Sequence, residues 1–529
     1  MKRLVAIWAL AAVLAGAVAG AQAQGKTFRW ASAGDTQTMD PHSQNESMTN
    51  MMNGQVYEGL VARDKKLNLV PALATSWQQT GPLTWRFKIR QGVRFHDGSP
   101  MTVDDVVFSI QRAKEPTSNI AVYANAVGTP VAIDRETVEF RLAKVNPIFL
   151  EHIAAPLWIM SRAWCEKNRV TRPLDFKNKE ESFAGFNANG TGPYLLANRQ
   201  PGIRTVYKRN PAWWGKHEGN VDEIVYTQIA NDATRLAALV SGEVDFVLDP
   251  APRDVARLRN TEGVKIVDGP ENRIVFIGMD QHRDELLYSS VKGRNPFKDL
   301  RVRQALYHAV DIETLKTKLM NGQSFPTGGL TPSPLGAYND PQIEARLPFD
   351  LAKARALMAA AGYGDGFEVT LDCPNNRYIN DEQICQAVAA MWTRVGISTK
   401  LNAMPLATFF PKIQKDDSSL YLMGWGVPTY DALYSFQSLL QSRDGQPGNG
   451  IWNYGRYSYA EMDRLINIMK NELDTTKRTA AIHSALRIYR EDIPHIPVHH
   501  QMIPWAMQKG VNTVHMANNQ LEVKWVKLD

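Results

Sequence analysis

Three histidines near the carboxyl end of the chain, His495, His499 and His500, have the spacing closest to that of a metal site. Two imidazoles four residues apart lie on one face of a helix and can ligate a zinc ion. Pro494 and Pro497 disfavour a helix here, because proline lacks the backbone donor and clashes with the preceding turn. We therefore expect hydrogen-bonded histidines on an extended segment, with no metal and no other cofactor.

Motifs of catalysis are absent from the sequence: it contains no Gly-x-Ser-x-Gly, His-Glu-x-x-His, Cys-x-x-Cys or Gly-x-Gly-x-x-Gly. The glycine-rich stretch at residues 185–192 lacks the lysine of a phosphate-binding loop. Paired carboxylates for acid–base chemistry stay open at this point, because their separation depends on the fold. We expect a protein that is not an enzyme, with an exported hydrolase as the alternative.

Aromatic residues concentrate in two loop-like stretches, residues 425–431 and 452–454. Trp and Tyr side chains make good walls for a ligand cavity, since each buries a large area with few rotatable bonds. Their alternative role is to fill contacts between a loop and its own domain. These stretches are candidates for a binding surface.

The composition is that of a soluble globular protein, with 44% hydrophobic and 22% charged residues. A length of 529 residues exceeds what one core supports, so several domains and a groove between them are expected. The net charge of +6 is spread along the chain without a basic block, which argues against a nucleic-acid partner.

The first 23 residues have the pattern of a cleaved signal peptide. Lys2 and Arg3 precede an apolar run at residues 4–20, and Ala21 and Ala23 supply the small residues of a cleavage site. The alternative is an uncleaved membrane anchor. The mature protein is expected to begin at Gln24 and, lacking a cysteine there for lipid attachment, to diffuse freely in the periplasm.

Strand and helix patterns alternate along the rest of the chain and predict an α/β or α+β class. Residues 83–90 alternate between apolar and polar, and Thr102 is placed to cap a helix, which together predict a mixed subdomain. Further on, Asp299 and Asp350 are helix caps, and a strand at 367–371, a helix at 380–395 and a strand at 397–401 predict a βαβ unit. Cys373 and Cys385 within this unit either bridge or stay free.

A series of motifs resembles the peptide/nickel class of solute-binding proteins that serve bacterial ABC importers. Residues 71–77 (Pro-Ala-Leu-Ala-Thr-Ser-Trp) and residues 85–106, which include Phe95-His96-Asp97-Gly98, are similar to the hallmark segment of that family. Shorter similarities follow in order at residues 191–194, 210–214, 242–245, 299–305 and 360–363. The resemblance therefore covers nearly the whole mature chain.

This resemblance implies an α/β fold of two lobes that close on a ligand like a flytrap, with an extra mixed α+β subdomain inserted in the first lobe. The expected division is residues 1–23 as signal peptide, residues 24–62, 186–274 and 500–529 as lobe I, residues 63–185 as the inserted subdomain, and residues 275–499 as lobe II. Residues 273–279 and 499–505 are expected to be the two crossings between the lobes.

By the same resemblance, the ligand lies between the lobes. The candidate binding residues are Thr38, Met39, Asp40, Arg377, Tyr378, Trp425, Gly426, Tyr430 and Asp431. In dipeptide-binding relatives an arginine in the segment of Arg377 holds the peptide carboxylate, a task that suits the two parallel donors of a guanidinium. The alternative for Arg377 is a surface side chain with a local ion pair.

One departure from the family concerns the peptide ammonium. Peptide-binding relatives place an Asp three residues after the Trp of Gly-Trp, where this chain has Pro428, and Asp431 is the next acid. Either Asp431 takes over that role or the ligand lacks a free α-amine. The expected function is capture of a short peptide by a monomeric receptor and delivery to an ABC permease complex in the inner membrane. The alternatives keep the fold and change the cargo to a nickel chelate, haem, an opine or an oligosaccharide.

Overall fold

The structure, a computed structural model, describes residues 25–175, 178, 180–331, 340–375, 377–427, 429–445 and 448–529. The expected signal peptide at residues 1–23 lies outside this range, as do Gln24 and Pro428. No helix within the range is long and apolar enough to cross a membrane.

Strands and helices alternate along the chain. The strands are β1 (Thr27–Ser32), β2 (Val61–Arg63), β3 (Leu69–Pro71), β4 (Ala74–Gly81), β5 (Thr84–Ile89), β6 (Thr129–Ala132), β7 (Thr137–Arg141), β8 (Tyr194–Gln200), β9 (Arg204–Arg209), β10 (Glu223–Gln228), β11 (Phe246–Leu248), β12 (Val264–Met279), β13 (Ser324–Pro326), β14 (Phe367–Pro374), β15 (Ile397–Met404), β16 (Leu420–Gly426), β17 (His495–Gln508), β18 (Val511–Asn512) and β19 (Lys527–Leu528). The helices are α1 (Ser47–Asn53), α2 (Val103–Ala113), α3 (Ala121–Ala126), α4 (Phe149–Ile153), α5 (Arg162–Lys167), α6 (Phe183–Phe186), α7 (Asp232–Val240), α8 (Pro252–Arg259), α9 (Leu300–His308), α10 (Ile312–Thr314), α11 (Pro341–Glu344), α12 (Leu351–Ala360), α13 (Asp381–Thr393), α14 (Leu406–Ile413), α15 (Ala432–Leu439), α16 (Ala460–Asn471) and α17 (Thr475–Asp492). Single turns of 3-10 helix at Pro296–Lys298 and Val523–Trp525 and a π-helical turn at Leu315–Leu319 complete the elements.

Helix starts lie where the sequence places their caps. The carboxylates of Asp299 and Asp350 accept from the backbone N–H groups of Arg301 and Lys353, each at 2.9 Å, at the starts of α9 and α12. Thr102 precedes α2 as predicted. These caps satisfy backbone donors that have no partner within the helix.

One long sheet runs through most of the chain in the order β15-β14-β16-β12-β17-β11-β1-β10-β9-β8, with β13 beside β17. Strands β12 and β17 are antiparallel to each other over most of their length. β12 pairs with β16 on its carboxyl-terminal half, and β17 pairs with β11 on its own carboxyl-terminal half. The two strands thus run from one group of strands to the other, and they include the predicted crossings.

The pairing of β12 with β17 is interrupted in the middle. Pro270 pairs with Met502 and Ile274 pairs with His500, so residues 271–273 lie opposite the single residue Gln501. Such a β-bulge bends a strand and changes the direction in which its side chains project. It occurs where the chain passes between the two groups of strands.

The predicted βαβ unit is confirmed. β14 and β15 are parallel neighbours in register from Phe367↔Ile397 to Pro374↔Met404, and α13 connects them. Ligands of open α/β sheets bind beyond the carboxyl ends of parallel strands. Arg377 and Tyr378 follow that end of β14.

A separate four-stranded antiparallel sheet, β4-β5-β7-β6, has its own hydrophobic core. Phe87 of β5 meets Phe140 of β7 edge-on at 5.4 Å between ring centroids, and Phe140 meets Phe149 of α4 at 5.7 Å. The alternation at residues 83–90 does form a strand, β5, as predicted. The exact limits of the subdomain, residues 63–185, stay a prediction.

Candidate functional site

Tyr378 anchors the segment that follows β14. Its hydroxyl donates to the carbonyl of Gly424 in β16 at 3.1 Å. A Cβ at Gly424 would lie 2.6 Å from the tyrosine ring, so glycine is required there. The backbone N–H groups of Arg377 and Tyr378 both donate to one oxygen of Asp381, at 2.8 and 2.9 Å. The turn that presents Arg377 is therefore held at both ends.

The guanidinium of Arg377 has no counter-ion among the described residues. It lies 5.1 Å from the ring centroid of Tyr378 and remains exposed. Desolvation by the surrounding protein and the positive charge of Arg273 lower its pKa. A cation that is partly desolvated and still accessible favours an anionic partner. The alternative of a local ion pair finds no partner within the described part of the chain.

A disulfide settles the question that the sequence left open. Cys373 at the end of β14 is bonded to Cys385 of α13, twelve residues further on. The bond closes the loop that carries Arg377 and Tyr378. Cys165, which lies in the core, is free and buried.

Replacing both bridged cysteines, Cys373→Ser with Cys385→Ser, is expected to lower the free energy of unfolding by about 3 kcal/mol, because the closed loop no longer restricts the unfolded chain. Binding is expected to weaken too, since Arg377 loses one of its constraints. Denaturant unfolding with and without reductant measures the effect. Reductant should destabilise the parent and leave the double variant unchanged; an insensitive parent would contradict the expectation.

The bulge between β12 and β17 adds three polar side chains that the sequence analysis missed. The Glu271 carboxylate accepts from Gln501 Nε2 at 2.7 Å and from Arg273 Nε at 3.1 Å. The Arg273 guanidinium lies 6.0 Å from the ring centroid of Tyr378. Arg273 and Arg377 thus both lie near Tyr378. The available signal was the polar triplet 271–273, which comes directly before the apolar run at residues 274–279.

The two aromatic stretches come together around Trp425. Its ring stacks on Tyr434 with centroids 5.0 Å apart and meets Trp452 at 5.6 Å. Trp425 is only 6% exposed, so most of its surface is used in this packing. Gly426 pairs with Arg273 in the sheet. Trp425 and Gly426 therefore lie beside the bulge, and contacts within the domain account for most of the tryptophan surface.

Tyr430 connects the loop after β16 to a distant part of the chain. The guanidinium of Arg63 lies 4.2 Å from its ring centroid and also forms an ion pair with Glu151. Tyr430 has a φ of +50°, a conformation that costs a non-glycine residue energy. The contact brings the expected inserted subdomain against the expected lobe II.

Asp431 occupies a structural position. One of its oxygens accepts from the N–H of Leu433 at 2.8 Å, which caps α15. Both oxygens accept from the guanidinium of Arg478, at 2.6 and 2.8 Å, and both side chains are buried. These contacts already balance the charge of the carboxylate, so the structure does not support the expectation that Asp431 binds a ligand ammonium.

Thr38, Met39 and Asp40 are also directed into the protein, with exposures of 1%, 0% and 0%. Arg112 donates to the two oxygens of Asp40 at 2.8 and 2.7 Å, and the N–H of Leu174 donates at 2.9 Å. Burial alone raises the pKa of Asp40, but the charge and hydrogen bonds of Arg112 outweigh it and the pKa is lowered. The carboxylate is therefore part of the core, which argues against its expected contact with the ligand.

The three histidines lie on strand β17, as the prolines predicted. Burial lowers the pKa of His495 and of His499 to about 3, so both are neutral. Within the described part of the chain, an expected hydrogen bond is found for His500, whose Nε2 lies 3.4 Å from a Glu344 oxygen. Among the described residues, no three potential metal ligands come together.

Comparison with known sequences gives a consistent result. The profile described as "Bacterial extracellular solute-binding proteins, family 5 Middle" matches residues 68–447. The glutathione-binding protein GsiB of Escherichia coli K12 is 27% identical over 472 residues, which are 87% of this chain and 86% of GsiB.

Solved structures share the fold. The periplasmic binding protein DppA of Helicobacter pylori, in complex with the peptide STSA, superposes with a TM-score of 0.76 at 21% identity over 95% of this chain and 98% of DppA. NikZ of Campylobacter jejuni, in complex with Ni(L-His), superposes with a TM-score of 0.76 at 21% identity over 94% of this chain and 98% of NikZ.

Proposed function

This chain belongs to the bacterial extracellular solute-binding proteins of family 5, the solute-capturing components of ABC importers, and we propose that its solute is a short peptide. Membership confirms the resemblance and the two-lobe α/β fold. It is a family of binding proteins, which sets aside the exported hydrolase.

The observation that carries the peptide assignment is the unpaired guanidinium of Arg377. It lies beyond the carboxyl end of β14, where ligands of such sheets bind, and the described residues provide no counter-ion. A peptide carboxylate supplies that charge through two parallel hydrogen bonds. The glutathione-binding and peptide-bound relatives support the same class of ligand.

The proposal includes the path of the peptide to the membrane. The signal pattern at residues 1–23 supports export of the mature chain to the periplasm, where a monomer captures the peptide between lobe I and lobe II. Strands β12 and β17 are the connections about which the lobes close. A ligand that contacts both lobes favours the closed form, which the ABC permease then recognises.

The purified mature chain, starting at Gln24, is expected to retain peptides from a mixture of dipeptides and tripeptides in native mass spectrometry. Glutathione and a nickel–histidine complex are tested in parallel. Each retained compound should raise the unfolding temperature, because it binds only the folded state. Retention of the nickel complex and of no peptide would contradict the peptide assignment and indicate a non-peptide cargo.

A further inference from the structure

Asp249 is an unpaired carboxylate at the end of β11. The Asn519 side-chain amide donates to its two oxygens at 3.0 and 3.2 Å, and no cation of the described residues forms an ion pair with it. Its φ of +52° is a conformation that non-glycine residues rarely adopt and that occurs at functional positions. The residue is only partly exposed.

The sheet places Asp249 beside the bulge. Leu248 of β11 and Val267 of β12 both pair with Trp505, from opposite sides of β17. Asp249 therefore leaves the sheet next to the strand pair that carries Glu271 and Arg273. The charges of these two residues act both on Asp249 and on Arg377.

The resulting arrangement contains the carboxyl group of Asp249, the ion pair between Glu271 and Arg273, and the guanidinium of Arg377. Neither Asp249 nor Arg377 has an ion-pair partner among the described residues. Burial and the charge of Glu271 raise the pKa of Asp249 to about 7, against the hydrogen bond from Asn519 and the charges of Arg235 and Arg273. Desolvation and Arg273 lower the pKa of Arg377. Each unpaired group is thus in an environment that disfavours its own charge, a condition that an opposite charge on a ligand relieves.

The bulge also leaves buried hydrogen-bonding groups unused. The Oδ1 atom of Asn272 and the Nε1 atom of Trp425 have no partner among the described residues, and the two residues are 5% and 6% exposed. Buried polar atoms in native proteins are normally paired, with protein, water or a ligand. An acceptor and a donor are therefore free beside the charged groups.

We propose that Asp249, assisted by Glu271, binds the cationic group of a zwitterionic ligand whose carboxylate is bound by Arg377. This assignment rests on the proposed function. It gives Asp249 the ammonium-binding role that Pro428 cannot fill and for which the Asp431 carboxylate is already paired with Arg478. Asp249 then decides whether a free amine is required.

The test uses a mixture of dipeptides and tripeptides with free amines and the same mixture after N-acetylation, with retention measured by native mass spectrometry and affinity by calorimetry. The parent should bind the free-amine mixture at least tenfold more tightly. Asp249→Asn should remove this preference by weakening only the free-amine peptides, while Asp249→Glu should keep part of it. Asp268→Asn is the matched control, because Asp268 is a neighbouring acid on β12 that already pairs with Arg259.

Affinity should also depend on pH. The ammonium binds the ionised carboxylate, so lowering the pH from 8 to 6 protonates Asp249 and should weaken free-amine peptides about tenfold, because the competent fraction falls. The charges of Glu271, Arg235 and Arg273 act on Asp249, and neither arginine titrates in this range. Asp249→Asn should abolish the pH dependence.

Three results would overturn the inference. Equal binding of free-amine and acetylated peptides would refute the role of Asp249 and leave the peptide assignment intact. Binding of neither mixture would refute the peptide assignment and this inference with it. An Asp249→Asn variant that keeps the parent's preference and its unfolding temperature would show that Asp249 does not contact the ligand.

Discussion

Replacing Arg377 by Ala is expected to weaken the binding of peptides with a free carboxylate by at least about 30-fold. Loss of one partner of a desolvated charge pair costs about 2 kcal/mol or more, and each 1.4 kcal/mol is a factor of about ten. Because the Arg377 guanidinium has no counter-ion in the described protein, the unfolding temperature should change little. Calorimetry with the peptides retained in native mass spectrometry measures the affinity.

Two controls test whether the loss of affinity depends on the carboxylate of the peptide. Arg355→Ala removes another exposed arginine, whose Nε donates to the carbonyl of Arg394, and should leave the affinity unchanged. Peptides with a C-terminal amide should bind the parent and Arg377→Ala equally. If the two proteins bind free-carboxylate peptides within twofold of each other, Arg377 is a surface residue or the ligand is not a carboxylate.

Replacing Asp40 by Ala is expected to lower the free energy of unfolding by about 3–5 kcal/mol. The side chains of Asp40 and Arg112 are both fully buried, so the variant leaves the guanidinium desolvated and without its counter-ion. The affinity of the folded variant for peptides should stay the same, because both side chains are fully buried and cannot contact a ligand. Denaturant unfolding monitored by tryptophan fluorescence, together with calorimetry, measures both quantities.

Asp245→Ala is the matched control for this second result. Asp245 pairs with Arg29, whose side chain is 44% exposed, and such pairs contribute about 0–1 kcal/mol. The two variants remove the same chemical group, and they differ in the burial of its arginine partner. A variant of Asp40 that is as stable as the parent but binds peptides weakly would restore the ligand role expected from the sequence.

Local features of this protein follow from its sequence, since they depend on residues close together in the chain. The caps Asp299 and Asp350 and the alternation that forms β5 arise within a few residues, and the βαβ unit arises within one continuous segment, residues 367–404. The ordered motifs identify the family for the same reason. Arg377 could also be identified from the sequence as a candidate binding residue, because it follows the predicted end of strand β14.

Ion pairs between residues far apart in the chain could be identified only from the tertiary structure. Asp40 looked like a ligand contact until folding brought Arg112, 72 residues away, onto its carboxylate. The Asp431 carboxylate is paired in the same way with Arg478, 47 residues away. A single sequence cannot show which acids are neutralised, because an ion pair depends on the distance between side chains and on their burial.

The charged site itself depends on the same long-range geometry. Gln501 reaches Glu271 across 230 residues only because β12 and β17 are neighbours with a bulge between them. The bulge turns an apolar strand pair into a polar site, and β11 brings Asp249 beside it. The main elements, the family and the choice of Arg377 as a candidate could be predicted from residues close together in the chain. Which charged side chains are neutralised within the protein follows only from packing, because packing sets the distances between charges that are far apart in the sequence.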